Sequence, residues 1–467
     1  MNWGTLAATQ RGALILGTQV AILAVLFVGC TAAASPANTL AASSSGPVRP
    51  CNGSVELCSR QFDEVVLPGS HNSMSAADLG WLIPNHDISI PVQIRRGARA
   101  MLIDTYYAVN DASLSPFRFR TLGRTEGSAA SATMYLCHVT CTWGATELIP
   151  EFRKIHDFLT RNPREVMVFV NQDNVTPADF ARAVEESGLI GLTYRGSTED
   201  WPTLQQMIDA NQRVVFLAEA QAAGVDWYHQ AYGGPMQETD YSFSRLPSKW
   251  GSDPNGSPTY AGVDKLTDPA LLDRSCDSNR GGTAGGLFLM NHWVSGGALN
   301  PLEPDPALAQ IVNTREALVN RARACENIRG KLPTVLAVDF FGIGDVVGAA
   351  RELNGVQARA FLELAKPRSI TVEAGRTGVF RLTLSNIGTA DASGVRFCAT
   401  VPARLAKPRT CVTAAPIPAG GKSTAAIRLK VEPKARGRAT VLFTVSAAGE
   451  TLGSSAALTV KPVKTRR

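Results

Sequence analysis

Between Phe62 and Phe361 short apolar runs alternate with amphipathic segments, and that alternation restricts the fold more than any other feature of the chain. Strand-like runs fall at Val65–Leu67, Met101–Asp104, Tyr135–Cys137, Val166–Val170, Val214–Ala218, Leu287–Asn291 and Val335–Asp339. Helical periodicity falls at Glu147–Thr160, Pro177–Ser187, Leu204–Ala210 and Pro306–Arg323. Continuous apolar strands are buried on both faces, and their separation by helices argues for a parallel sheet. The expectation is a TIM-type (β/α) barrel with seven visible strands and an eighth hidden between Asp226 and Asp273. That stretch is rich in Gly, Pro, Ser and aromatics, and reads as long recognition loops over one barrel face.

After Ala365-Lys366-Pro367 the period changes to alternating strands with Gly and Pro turns. Thr377–Ser385, Val395–Val401, Ser423–Val431 and Ala439–Ala447 read as strands of a small C-terminal β-sandwich. It is similar to the immunoglobulin-like modules appended to many exported bacterial enzymes. Gly420-Gly421-Lys422-Ser423 suggests a phosphate loop, but Pro416 stands where its first glycine belongs and no helix follows. Its basic tail, 461–467, reads as solvated surface.

Residues 1–36 read as an export signal: Arg11, the apolar run Ala13 to Val28, then small residues. Phe27-Val28-Gly29-Cys30 also resembles a lipoprotein cleavage site with Cys30 as the lipidated residue, so a secreted or lipid-anchored extracytoplasmic protein is expected. Residues 37–50 read as a flexible linker, 51–365 as the barrel and 366–460 as the sandwich. Of nine cysteines, setting Cys30 aside leaves eight, an even number that an oxidising compartment can pair. Spacing suggests Cys51–Cys58, Cys137–Cys141 and Cys398–Cys411, with Cys276–Cys325 by elimination. Zinc at Cys137-His138-Cys141 ranks below the disulfide, because no second pair at finger spacing follows. The net charge of +6 carries no basic run interleaved with aromatics, so nucleic acid is not an expected partner, and no obligatory protein partner is evident. No Gly-x-Ser-x-Gly elbow occurs, which leaves a serine lipase unsupported.

Two histidines stand at strand ends. Val65-Val66-Leu67-Pro68-Gly69-Ser70-His71 runs from an apolar strand through Pro-Gly to His71, and Met134-Tyr135-Leu136-Cys137 runs into His138. Strand ends are where a β/α barrel keeps its catalytic groups, and two histidines can supply one base and one acid at neutral pH. Leu67 to Ser73, with Asn72, resembles the first signature of the phosphatidylinositol-specific phospholipase C X domain. Gln93 to Tyr106, Tyr135 to His138, and Asn162 to Val170 resemble its next strands. The resemblance is closest to the secreted phospholipase-C-like phosphodiesterases, which share a Cys-Asn-Gly to Glu-Leu-Cys opening, as at Cys51 to Cys58. Asp200 to Leu204, Asn211 to Phe216, Phe288 to His292, and Val338-Asp339-Phe340 extend it over most of residues 51–360.

The resemblance implies cleavage of a phosphodiester by an internal hydroxyl, with His71 as base and His138 as acid. Such a reaction also needs a counter-charge for the phosphorane oxygens. Asp339, at the end of the last strand, is the candidate carboxylate that orients His71. For the counter-charge, calcium-dependent relatives imply metal ligation at Asn72 and Asp104. Leu102 and Gln172 stand where two glutamates would be, so Gln172 and the adjacent Asp173 complete a weak candidate site for Ca²⁺ or Mg²⁺. Arg99 is the competing phosphate contact, with Asn291 and Trp293 as further candidate substrate-binding residues. The expected partner is a phosphatidylinositol-like or glycolipid head group at a membrane surface. A glycerophosphodiester or sphingolipid head group, or a binding protein without turnover, are the alternatives.

Overall fold

The computed structural model describes residues 49–114, 118–239, 269–294 and 303–462. The expected export signal, most of the linker, the middle of the 226–273 stretch and the last residues of the tail lie outside them. Among the described residues no helix is long and apolar enough to cross a membrane.

The first sheet contains β1 (Leu67–Ser70), β2 (Ala100–Asn110), β3 (Phe119–Leu122), β4 (Thr133–Leu136), β5 (Thr146–Glu147), β6 (Met167–Asp173), β7 (Val214–Ala218), β8 (Tyr228–Gln230), β9 (Met236–Glu238), β10 (Leu287–His292) and β11 (Val335–Val338). Eight strands run parallel in the order β8-β7-β6-β2-β1-β11-β10-β9. That order is the chain order read around a curl. Its two ends, β8 and β9, are neighbours in sequence, yet no ladder joins them among the described residues. The result is a curled parallel sheet rather than the fully closed barrel expected.

The alternation of side chains explains the apolar runs. Leu67, Ala100, Leu102, Val168, Val170, Val215, Leu217, Leu289, Val335 and Ala337 face inward and form one core. Their neighbours Met101, Ile103, Phe169, Phe216, Phe288, Leu336 and Val338 face outward. These pack against helix residues such as Phe152, Phe180 and Leu318, so both faces are covered. The helices Leu148–Arg161, Pro177–Ser187 and Leu204–Asp209 fall where expected, the last two capped by Thr176 and Thr203.

Three expectations are corrected. Tyr135–Cys137 is not a parallel strand: β2 continues to Asn110, and β4 pairs with it antiparallel, Leu136 opposite Thr105. A short apolar run cannot declare its own direction. The one strand expected to hide between Asp226 and Asp273 is two, β8 and β9, three residues each, too short to show a period. The single helix expected over Pro306–Arg323 is two, Pro306–Val312 and Arg315–Arg329, because Thr314 caps a new start by accepting from the Ala317 N–H.

The C-terminal region holds β12 (Leu362–Leu364), β13 (Ile370–Glu373), β14 (Thr377–Asn386), β15 (Arg396–Thr400), β16 (Arg409–Thr413), β17 (Lys422–Lys430), β18 (Gly437–Ala447) and β19 (Glu450–Lys461). They form sheets β12-β14-β17 and β13-β19-β18-β15-β16. The two sheets share one core, with the Phe380 and Phe443 rings 5.0 Å apart. The β region starts at Leu362, ahead of the expected 366. All four disulfides pair as expected, three from spacing and Cys276–Cys325 by elimination.

No residue beyond Val356 enters the two apolar clusters of the α/β region. The link to the β region includes polar contacts such as Arg351 to the Thr389 carbonyl at 3.3 Å and the Arg359–Glu56 pair at 3.7 Å. A chain ended at Ala358 should therefore fold, losing on the order of 1–2 kcal/mol. Thermal melts that show no cooperative transition would refute this.

Candidate active site

β1 ends where three strands crowd together. A Cβ on Gly69 would lie 2.7 Å from the Val335 side chain and 3.3 Å from the Ala100 Cβ, so only glycine fits between β11 and β2. Two residues on, His71 hydrogen-bonds by its N–H to the Val338 carbonyl, which brings it beside the end of β11. Asp339 is the next residue of that strand's path. The His71 Nδ1 and an Asp339 oxygen, Oδ1, are 2.9 Å apart. The Trp293 ring lies flat on the imidazole, centroids 3.6 Å apart and 6° from parallel. With Nδ1 engaged and one face covered, Nε2 is the nitrogen left to a substrate.

The antiparallel course of β4 brings the second histidine to the same place. Asn72 turns the chain in a left-handed conformation (φ 48°), and its amide lies 3.1 Å from the His138 Nε2. His138 sits inside the small ring closed by Cys137–Cys141. The loop after β1 is tied to this one: the Leu82 N–H donates to the Trp143 carbonyl, and Trp81 packs so closely on Gly144 that a Cβ there would overlap its ring. Burial lowers the His138 pKa to about 4, the nearby His71 adds to this, and Asp339 opposes it. His138 is therefore neutral in the free protein at pH 7.

The model of the PI-PLC X family (PI-PLC X 1) matches residues 117–248 and 259–354. The chain belongs to the PI-PLC X family. An uncharacterised secreted protein of Arthroderma benhamiae is 24% identical over 339 residues, 66% of this chain and 64% of its own. PI-PLC X domain-containing protein 1 of the same organism is 23% identical over 66% of this chain and 90% of its own. A PI-PLC X domain-containing protein of Arabidopsis thaliana is 22% identical over 63% of this chain and 62% of its own. The chain thus spans less than two thirds of the first and third of these relatives. PapD-like domain 7 of human CEP192 shares 18% identity over 22% of this chain and 87% of its own at a TM-score of 0.17, too low to bear on the fold.

In this PI-PLC X family member the other candidate residues fall in different places. Arg99 precedes β2 at the amino end of the sheet, opposite His71. It is held by Glu165 at 2.7 Å and by the Ile94 and Ala98 carbonyls. The expected phosphate contact is corrected: Arg99 is a brace between strand starts. Asn291 donates to the Thr239 carbonyl while its buried Oδ1 has no partner among the described residues. Trp293 supports His71 from the side.

Of the expected metal donors, Asp104 and Gln172 face each other across β2 and β6, while Asp173 and Asn72 are engaged by other partners. Asp173 accepts from the Ala220 and Gln221 N–H groups, one on each oxygen, and from Arg124. Asn72 uses its amide on His138, and Gln172 lies 3.5 Å from the Tyr106 hydroxyl. Asp104 remains, buried on the inner face opposite Gln172. Its pKa is pushed well above the ordinary value, first by burial and then by Glu219. Calcium and magnesium need several hard, ionised oxygens at one point. Among the described residues no three His, Cys, Asp or Glu are grouped to hold an ion. The donor set does not fit either metal.

Three residues escaped the sequence reading. Asn85 donates its amide to Asp339 Oδ1 at 3.0 Å. His86 lies 2.7 Å from the His71 carbonyl through Nε2, and its Nδ1 accepts from the Phe341 N–H. Glu219 pairs with Arg280, which also holds Glu238. Only Glu219 had a signal: it continues the inward period of Val215 and Leu217. Asn85 and His86 lie in a loop, where no period marks a facing residue.

Proposed function

We propose that the protein is an exported phosphodiesterase of the phospholipase C type, acting on a phosphatidylinositol-like head group at a membrane surface. The observation that carries the reading is the His71–Asp339 pair meeting His138 across Asn72. A head-group hydroxyl next to the phosphate attacks phosphorus as His71 Nε2 takes its proton, and Asp339 stabilises the imidazolium. The new P–O bond closes a cyclic phosphodiester. The P–O bond to the glycerol breaks, and the leaving alkoxide takes its proton from His138. An arriving phosphodiester anion favours the protonated form of His138, against the burial that keeps it neutral in the free protein. Four disulfides and the relative named as secreted support export. Lipid attachment at Cys30 belongs to the same proposal.

The depressed His138 pKa favours a second reading, a head-group-binding protein without turnover. A panel of vesicles carrying phosphatidylinositol, a glycerophosphodiester lipid or sphingomyelin separates the two. Release of a phosphorylated head group from phosphatidylinositol is expected. Release from another lipid alone would move the assignment to that head group, and binding without release from any would leave the second reading.

No step is assigned to a metal, since the donors do not fit one. Exhaustive EDTA treatment should leave turnover unchanged. Asp104→Asn, which replaces a carboxyl held toward its neutral form by its isostere, should cost no more than a few fold, with no rescue by added Ca²⁺. Loss of activity in EDTA, restored by Ca²⁺, would return Asp104 to the role of ligand.

A further inference from the structure

Asp339 presents an unusual arrangement. It is 3% exposed, its Oδ2 has no partner among the described residues, and Oδ1 receives both His71 and Asn85. Asn85 is 2% exposed, and its own Oδ1 is likewise unpartnered. A buried amide that leaves its oxygen unsatisfied is costly. Turned over, it would set that oxygen against a carboxylate oxygen, so the donating orientation is the one chemistry allows.

The residue is also firmly placed. The Asn85 N–H donates to the Ser75 hydroxyl, and its carbonyl accepts from the Phe340 N–H, one residue past Asp339. Next to it, the fully buried His86 bridges the His71 carbonyl and the Phe341 N–H. From the other side the Asn313 amide donates to the Asp339 carbonyl at 2.7 Å. The loop after β1 thus grips both partners of the pair, and besides His71 itself Asn85 is its only side chain hydrogen-bonded to the carboxylate among the described residues.

We propose that Asn85 is a positioning residue for the His71–Asp339 pair: its amide aims the carboxylate at Nδ1 and holds it as an anion. The proposal rests on the phosphodiesterase reading for its kinetic consequence, but not for its structural one. Two variants separate donor from filler. Asn85→Leu keeps the volume and removes the donor without adding a charge; Asn85→Ala removes both.

If the donor matters, both variants should lose roughly tenfold or more in kcat with KM nearly unchanged, because the substrate is not touched. The downfield proton resonance of the His71 Nδ1–H at pH 7 should shift or broaden in both. If Asn85 only fills space, Asn85→Leu should match the wild type in kcat and in that resonance, which would overturn the proposal. Should the wild type cleave none of the lipids, the functional reading falls, and the proton resonance alone still decides the role of Asn85. If Asn85→Ala does not fold, Asn85→Leu gives the answer.

Discussion

His71→Ala and His138→Ala should each lower phosphodiester turnover by roughly 10²–10⁴-fold, the usual cost of losing a positioned acid or base. The two are separable by leaving group. His138 donates to the departing oxygen, so a substrate with an acidic phenol as leaving group should restore much of the rate of His138→Ala. His71 acts on the attacking hydroxyl, and His71→Ala should stay slow on either substrate. Both proteins should remain folded, since both histidines are only partly buried. Turnover within a few fold of wild type in either variant would remove that residue from the mechanism.

Lowering the pH from 7 to 5 should destabilise the protein by about 4 kcal/mol, with a fall in Tm of about five degrees for a chain of this size. The cause lies in two fully buried histidines. Burial lowers His86 to about 4, and burial with the neighbouring Arg321 lowers His292 to about 3. Both have an unfolded value near 6.5. Below that value the unfolded chain takes up protons that the folded chain refuses until about pH 4 or 3. Stability is therefore full above pH 6.5 and declines as pH falls. At pH 5 each group contributes about 2 kcal/mol of that loss. His138 adds in the same direction, while the raised Asp104 works against it by binding a proton in the folded state first. Melting temperatures that hold constant or rise between pH 7 and 5 would show that these histidines are not held neutral.

Much of this protein was readable before any coordinates. Val214–Ala218 appears as a strand with the same limits, and Pro177–Ser187 as a helix with the same limits, because a buried apolar run and a capped amphipathic run each carry their own signal. The disulfides followed from spacing and an even count. The errors share one origin. The run at Tyr135 looks the same whether its neighbour is parallel or antiparallel, so local pattern alone reads it as part of the curl, whereas β4 lies beside the extension of β2. Arg99 and Asp173 have the right chemistry for phosphate or metal, but Glu165 and the Ala220 and Gln221 N–H groups engage them first.

Local pattern alone marks which runs are buried strands, where they end, and that two histidines and Asp339 stand at such ends, because those properties depend only on a continuous apolar run and on the residues that punctuate it. Tertiary structure alone decided which strand ends meet. It brought His138 to Asn72 through an antiparallel strand, laid Trp293 on His71, and set Asn85 against Asp339 from a loop. The physical reason is that a hydrogen bond across 254 residues depends on how distant segments pack, and no local pattern records its partner.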